Sequence, residues 1–131
     1  MEPVKVFISG SFTENKADLD KIEGLITDAS KYGNIEVVRM DKWWDTQTCY
    51  DTSKFEKIDY WLIDLDFMLD CNAVIFCNDW EKHDGCRIER KFAETHGMLI
   101  LEQDEIMRIE RRKNEKAELE TYGCEGESGQ E

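Results

Sequence analysis

No apolar run in this sequence approaches the roughly 20 residues that a transmembrane helix needs. Nor is there room for a signal peptide before the first strand-like segment, because MEPVKVFISG turns β-rich within a few residues. Together these absences set the expectation of a cytoplasmic protein with no membrane partner. The five cysteines (Cys49, Cys71, Cys77, Cys86 and Cys124) are odd in number and lack a C-x-x-C pair, which argues against a disulfide framework or a structural zinc site. Cys71 and Cys77 flank or end an apolar segment and read as small buried hydrophobes. Basic residues are scarce as well: 17 Lys and Arg against 30 Asp and Glu give a formal net charge of -13. Such a surface repels phosphate polymers and argues against DNA or RNA as a partner. A single small phosphate remains compatible with it, because backbone amides at a helix amino end hold one regardless of distant charge. Neither an internal repeat nor a cofactor motif stands out.

What is present is enough chain for one domain with a proper core, at 131 residues. Val4 to Ser9 (VKVFIS) reads as a central parallel strand, β-rich and almost continuously apolar. Gly10 ends it, and Ser11, Thr13 and Asn15 are candidate caps of a helix whose apolar positions are Leu19, Ile22, Ile26 and Ala29, stopping at Tyr32-Gly33-Asn34. Ile35 to Met40 is a second strand. Asp41 to Ser53 has neither period and reads as a functional loop. A second helix spans about Lys54 to Asp70, with Ile58, Leu62, Leu65 and Leu69 as its apolar stripe, widened by Trp61 and Met68. A buried strand (Ala73 to Cys77), a helix entered at Gly85 and a fourth strand (Met98 to Leu101) follow. This order predicts an α/β fold, a three-layer, doubly wound parallel sheet of four to five strands with helices on both faces. The expected organisation is an α/β domain over 1–103, a charged helix over 104–120 anchored by Ile106, Ile109 and Leu119, and a disordered tail over 121–131.

Ligands of open parallel sheets bind where strand carboxyl ends meet helix amino ends. Three such places converge here. The first strand leads into Gly10, Ser11, Phe12 and Thr13. The third leads into Asn78 to Asp84, with Trp80 and His83, then through Gly85 to Glu89. The helix before the third strand offers Asp64, between Trp61 and Met68 and just off the apolar stripe. Two carboxylates facing one cavity can divide their labour, one attacking or taking a proton while the other donates or shares one.

The segment VFISGSFTEN, Asp64 seven residues before Cys71-Asn72-Ala73, and DWEKHDGCRIE with the spacing Gly85-x-x-x-Glu89 together resemble the nucleoside 2-deoxyribosyltransferase-like superfamily. Within it, the small and often phage-borne DUF4406-type proteins are the most similar in pattern. The resemblance covers residue 4 to about 101. It implies N-glycosidic bond chemistry on a nucleoside or nucleotide: Glu89 attacks the anomeric carbon as the base leaves, and Asp64 protonates or holds the base. It also implies a cavity served by Gly10, Ser11, Phe12, Thr13, Trp80, His83, Asp84 and Gly85, no metal, no cofactor, and assembly into dimers or larger homo-oligomers. Three departures bear on the substrate. Phe7 stands where the family commonly has a tyrosine that orients the nucleophile, Ser11 replaces a proline, and His83 replaces a small residue.

Each residue also has a plainer reading. Glutamate on an amphipathic helix is usually solvated, and Asp64 fits equally a polar helix face. His83 fits an ordinary loop histidine, and Ser11 and Thr13 fit helix caps. Trp43 and Trp44 either flank the cleft, where one stacks on a base, or cover the core or a subunit contact. Arg87, Arg90 and Lys91 read as an exposed helix face. Transfer and hydrolysis are not separated by sequence. The alternative from another class is a non-catalytic nucleotide-binding protein that keeps the pocket.

Overall fold

The near-continuous apolar strands of this chain feed both sides of one sheet. In the computed structural model, which describes residues 3–47, 53–108, 111, 112 and 115, β1 (Val4–Ser9), β2 (Ile35–Val38), β3 (Ala73–Phe76) and β4 (Leu99–Glu102) lie in the order β2-β1-β3-β4, all parallel. Val6, Ile8, Ala73, Ile75 and Cys77 point to one face, where α1 (Lys16–Ala29) packs through Leu19, Ile22 and Ile26. The alternate residues Phe7, Val74 and Phe76 point to the other, against α2 (Met40–Thr46), α3 (Lys57–Leu69) and α4 (Asp84–Thr95). Period-two alternation of apolar residues on both faces is what a doubly covered parallel strand requires. The result is a three-layer α/β sandwich of the doubly wound type, as the sequence predicts.

Local chemistry sets the boundaries. The backbone N–H of Glu56 donates to Asp59 Oδ2 at 2.7 Å at the start of α3. Gly97, at φ 64°, ends α4 in the left-handed region. At the start of α1 the expected caps behave differently: Asn15 precedes the helix, but its Oδ1 accepts the Ser11 N–H at 2.7 Å, while Ser11 Oγ accepts the Glu14 N–H at 3.2 Å. The loop is thus closed on itself.

Two expectations require correction. The segment from Asp41, read as a loop, is helical through Thr46; aromatic packing of Trp43 on Phe67, with ring centroids 4.7 Å apart, holds a helix too short for periodicity to reveal. Residues 48–52 lie outside the described ones. On α3, the stripe Ile58, Leu62 and Leu69 faces solvent, at 50%, 57% and 56% exposure, whereas Asp64 and Met68 are buried. A helix that is apolar nearly all round gives its direction away poorly, and here a carboxylate, not a leucine, marks the inner side.

The charged helix begins at residue 103, one position earlier than expected. Ile106 joins the core beneath α1's face, with Met107 packed against it, and Gln103 Oε1 accepts the Asn78 N–H at 2.7 Å. Ile109, Leu119 and the 121–131 tail lie outside the described residues. No helix among the described residues is long and apolar enough to cross a membrane.

Candidate active site

The chain leaves β1 for α1 on one face and β3 for α4 on the other, so the loops after these paired strands part at their carboxyl ends. Crevices of open α/β sheets form at such a switch point. A cavity of about 550 Å³ opens there. Gly10, Ser11 and Phe12 line it from the β1 loop, Trp44 and Gln47 from the end of α2, and Tyr60, Trp61 and Asp64 from α3. His83, Gly85, Cys86 and Glu89 close it from the start of α4.

Both carboxylates singled out in the sequence face this cavity and both are buried. Glu89 lies in the second turn of α4. Burial pushes its carboxyl up to about 8; a hydrogen bond from the Ser9 hydroxyl to Oε1, at 2.5 Å, works against that rise, and the Asp64 charge adds to it. Asp64 is raised to about 6 by burial, held back by the Trp44 indole N–H that donates to Oδ1 at 3.1 Å. The two groups sense each other electrostatically, and both titrate near neutral pH, where carboxyl groups exchange protons with substrates most readily.

The walls are aromatic. Trp44 stands edge-on to Tyr60, with centroids 5.0 Å apart, and Phe12 is 45% exposed at the rim. Gly85 lets the amino end of α4 approach Trp61, since a Cβ there would lie 3.0 Å from Nε1. His83 brings Nε2 to 3.7 Å from Glu14 Oε1, an ion pair only when the imidazole is protonated.

Four of the residues picked out in the sequence lie away from the cavity lining. Trp43 is turned into the core beside Phe67, the covering role of its two readings. Trp80 packs on Phe76, with the Arg90 guanidinium 4.7 Å above its ring; Arg90, paired with Glu102 at 2.8 Å, is accordingly half-buried and not part of an exposed face. Asp84 is exposed and pairs with Arg87. Thr13 is exposed, its hydroxyl 3.4 Å from that of Ser11. Conversely, Ser9, Gln47, Tyr60, Trp61 and Cys86 belong to the site and were not singled out for it, Trp61 having been read as part of the apolar stripe of its helix. Ser9 carried a signal, a hydroxyl closing the apolar run Val6-Phe7-Ile8 at the carboxyl end of the strand.

A family profile described as "Domain of unknown function (DUF4406)" matches residues 4–102. The chain belongs to that family. No curated protein and no solved structure matches it. All twelve cavity-lining residues, from Gly10 to Glu89, fall within the DUF4406 segment, so the pocket belongs to the family domain and not to the helix that follows it. Among the described residues, no three His, Cys, Asp or Glu side chains group as a metal site.

Proposed function

We propose that this DUF4406 protein breaks the N-glycosidic bond of a deoxynucleoside, nucleoside or nucleotide, with Glu89 as nucleophile and Asp64 as proton donor. One observation carries the reading: two buried carboxyl groups, each held by its own hydrogen-bond donor, face one aromatic-walled cavity at the switch point of the sheet. Aromatic walls suit a nucleobase, and a carboxylate beside them suits the anomeric carbon. In the first step a Glu89 oxygen bonds to C1′ while the C1′–N bond breaks. Its electron pair stays on the base nitrogen, which takes the Asp64 proton. Water, or the nitrogen of a second base, then attacks C1′, loses its proton to Asp64 and frees the Glu89 carboxylate.

Proton placement shapes this chemistry. Between about pH 6 and 8 the pair holds one proton, and in the free protein Glu89 is its stronger holder. The proposed chemistry needs that proton to move to Asp64. Positive charge developing at the sugar beside Glu89 and a basic nitrogen beside Asp64 both favour the move. The same order of basicity favours a second reading with the roles exchanged, Glu89 donating the proton and Asp64 attacking.

Chromatography of the protein with a panel of 2′-deoxynucleosides, nucleosides and their 5′-monophosphates, with and without an acceptor base, tests the proposal. Free or exchanged base that disappears with Glu89→Gln supports it. A blank panel with a retained ligand supports the binding-protein alternative.

We also propose a homo-oligomer. Ile58, Leu62 and Leu69 form an exposed row on α3, with Lys54 and Lys57 at one end and Asp66 and Asp70 at the other. An antiparallel pair of such helices buries the row and matches the charges.

A further inference from the structure

Ser9 is a hydroxyl where the strand pattern calls for a hydrocarbon. On β1, Val6 and Ile8 face α1, and Phe7 faces the opposite core. Ser9 follows Phe7 on that second face and is 1% exposed, at the last position before the strand gives way to Gly10. A buried hydroxyl without a partner costs free energy, so its bonds are informative. It donates to Glu89 Oε1 across 80 residues of sequence, at 2.5 Å, the short distance expected of a hydroxyl bound to a carboxylate. The same Ser9 hydroxyl works against the burial that pushes the Cys86 thiol up to about 11. Cys86 and Glu89 are three residues apart and so share one face of α4, the face turned to the end of β1.

A glutamate side chain has three rotatable bonds, and a carboxylate that must meet one carbon atom in line gains from having them fixed. The rigid end of a central strand is a good place from which to fix them. Phe7 has no hydroxyl to offer, and Ser9, one step further along the same face, supplies one.

We propose that Ser9 is a positioning residue for Glu89, its hydroxyl holding Oε1 so that the carboxyl group is fixed and left with Oε2 for the cavity. This inference rests on the nucleophilic role assigned above to Glu89. Ser9 touches no reacting atom. Its effect passes through the orientation and charge of Glu89, where its bond opposes the proton affinity that burial and Asp64 impose.

The test has one arm that needs no substrate. Carbon-13 NMR of the glutamate carboxyl groups, with Glu89 assigned by its loss in Glu89→Gln, follows the Glu89 titration in the parent protein, Ser9→Ala and Ser9→Cys. Loss of a hydrogen bond to a charged group moves the midpoint upward by about one to two pH units. Cysteine is close to serine in shape but a weak donor, so Ser9→Cys moves it the same way, which a packing role alone would not do. In the second arm, the alkaline limb of kcat/KM, which Glu89 governs as the stronger proton holder, shifts by the same amount, and between the limbs the rate falls through kcat with KM little changed. Glu89 titrating in both variants as in the parent overturns the proposal. So does a shift in KM alone. A parent protein inactive on every substrate removes the nucleophile reading instead, and the titration then still separates a Ser9 that governs Glu89 from one that fills space.

Discussion

The Trp44 indole N–H donates to Asp64 Oδ1 at 3.1 Å, joining the helix after β2 to the helix before β3 across the wall of the cavity. This bond opposes the burial that raises Asp64. Trp44→Phe keeps an aromatic wall and removes the donor, so the Asp64 midpoint rises above about 6. Because Asp64 is the weaker proton holder of the pair, the acid limb of the pH–rate profile moves upward by about one unit. An unmoved acid limb contradicts a role for Asp64 in the reaction.

The burial of Glu89 ties stability to pH. Its carboxyl is raised from 4.5 to about 8, so the folded protein holds this proton more tightly than the unfolded chain. The resulting stabilisation is fully present below about pH 4.5, declines as pH rises, and is gone above about pH 8. Thermal unfolding of the parent should therefore shift to lower temperature between pH 5 and 9. Glu89→Gln, which cannot ionise, should flatten that trend and exceed the parent in stability at pH 9. Parallel curves would show that Glu89 does not titrate in this range.

Beyond the cavity, one charged cluster carries structural weight. The Arg39 side chain, 2% exposed, donates through Nη2 and Nε to both Asp41 oxygens, at 2.6 and 3.1 Å, and through Nη1 to Asp20 and Glu23. Those carboxylates hold the guanidinium protonated; Arg39 in turn holds Asp41 below its ordinary range despite burial, and Lys42 together with Arg39 does the same for Glu23. Arg39→Met removes both short bonds to the buried Asp41 and leaves it the longer Lys16 pair, at 3.7 Å, and should cost about 3 kcal/mol in urea unfolding. Replacing Asp41 by leucine in the same chain should recover part of it. A loss below about 1 kcal/mol would place the cluster with ordinary surface pairs.

Self-association should depend on the outer face of α3. Leu62, 57% exposed at the middle of the row, is the residue to change. Sedimentation velocity is expected to give a dimer or larger species for the parent and a monomer for Leu62→Asp. A monomeric parent at micromolar concentration contradicts the proposed assembly.

Much of the fold could be read along the chain because β1, β3 and α1 each follow one pattern. AVIF is apolar at both parities, as a doubly covered strand requires, VKVFIS adds Phe7 to the apolar Val4, Val6 and Ile8 of the other parity, and Leu19, Ile22 and Ile26 repeat at helical spacing. The direction of α3 was not legible. Nearly every side of KIDYWLIDLDFML is apolar, and what orients it is Asp64 meeting Trp44 from another element. Likewise α2 depends on Trp43 packing against Phe67, a contact 24 residues away that no local pattern encodes. In the site, Glu89 and Asp64 were visible because the glycine and the strand ends frame them. Ser9 was hidden by its place in an apolar strand, and its meaning came only from the helix carboxylate folded onto it.

The most direct test of the central claim is to catch the glycosyl ester. The protein is incubated with a nucleoside whose sugar carries fluorine at C2′, which slows both steps by destabilising positive charge at C1′, and intact mass is followed by peptide mapping. A gain of one fluorosugar, located on Glu89 and released by water or by an acceptor base, is the expected result. A gain located on Asp64 would exchange the two roles. Release of base without any adduct, continuing in Glu89→Gln, would contradict the account.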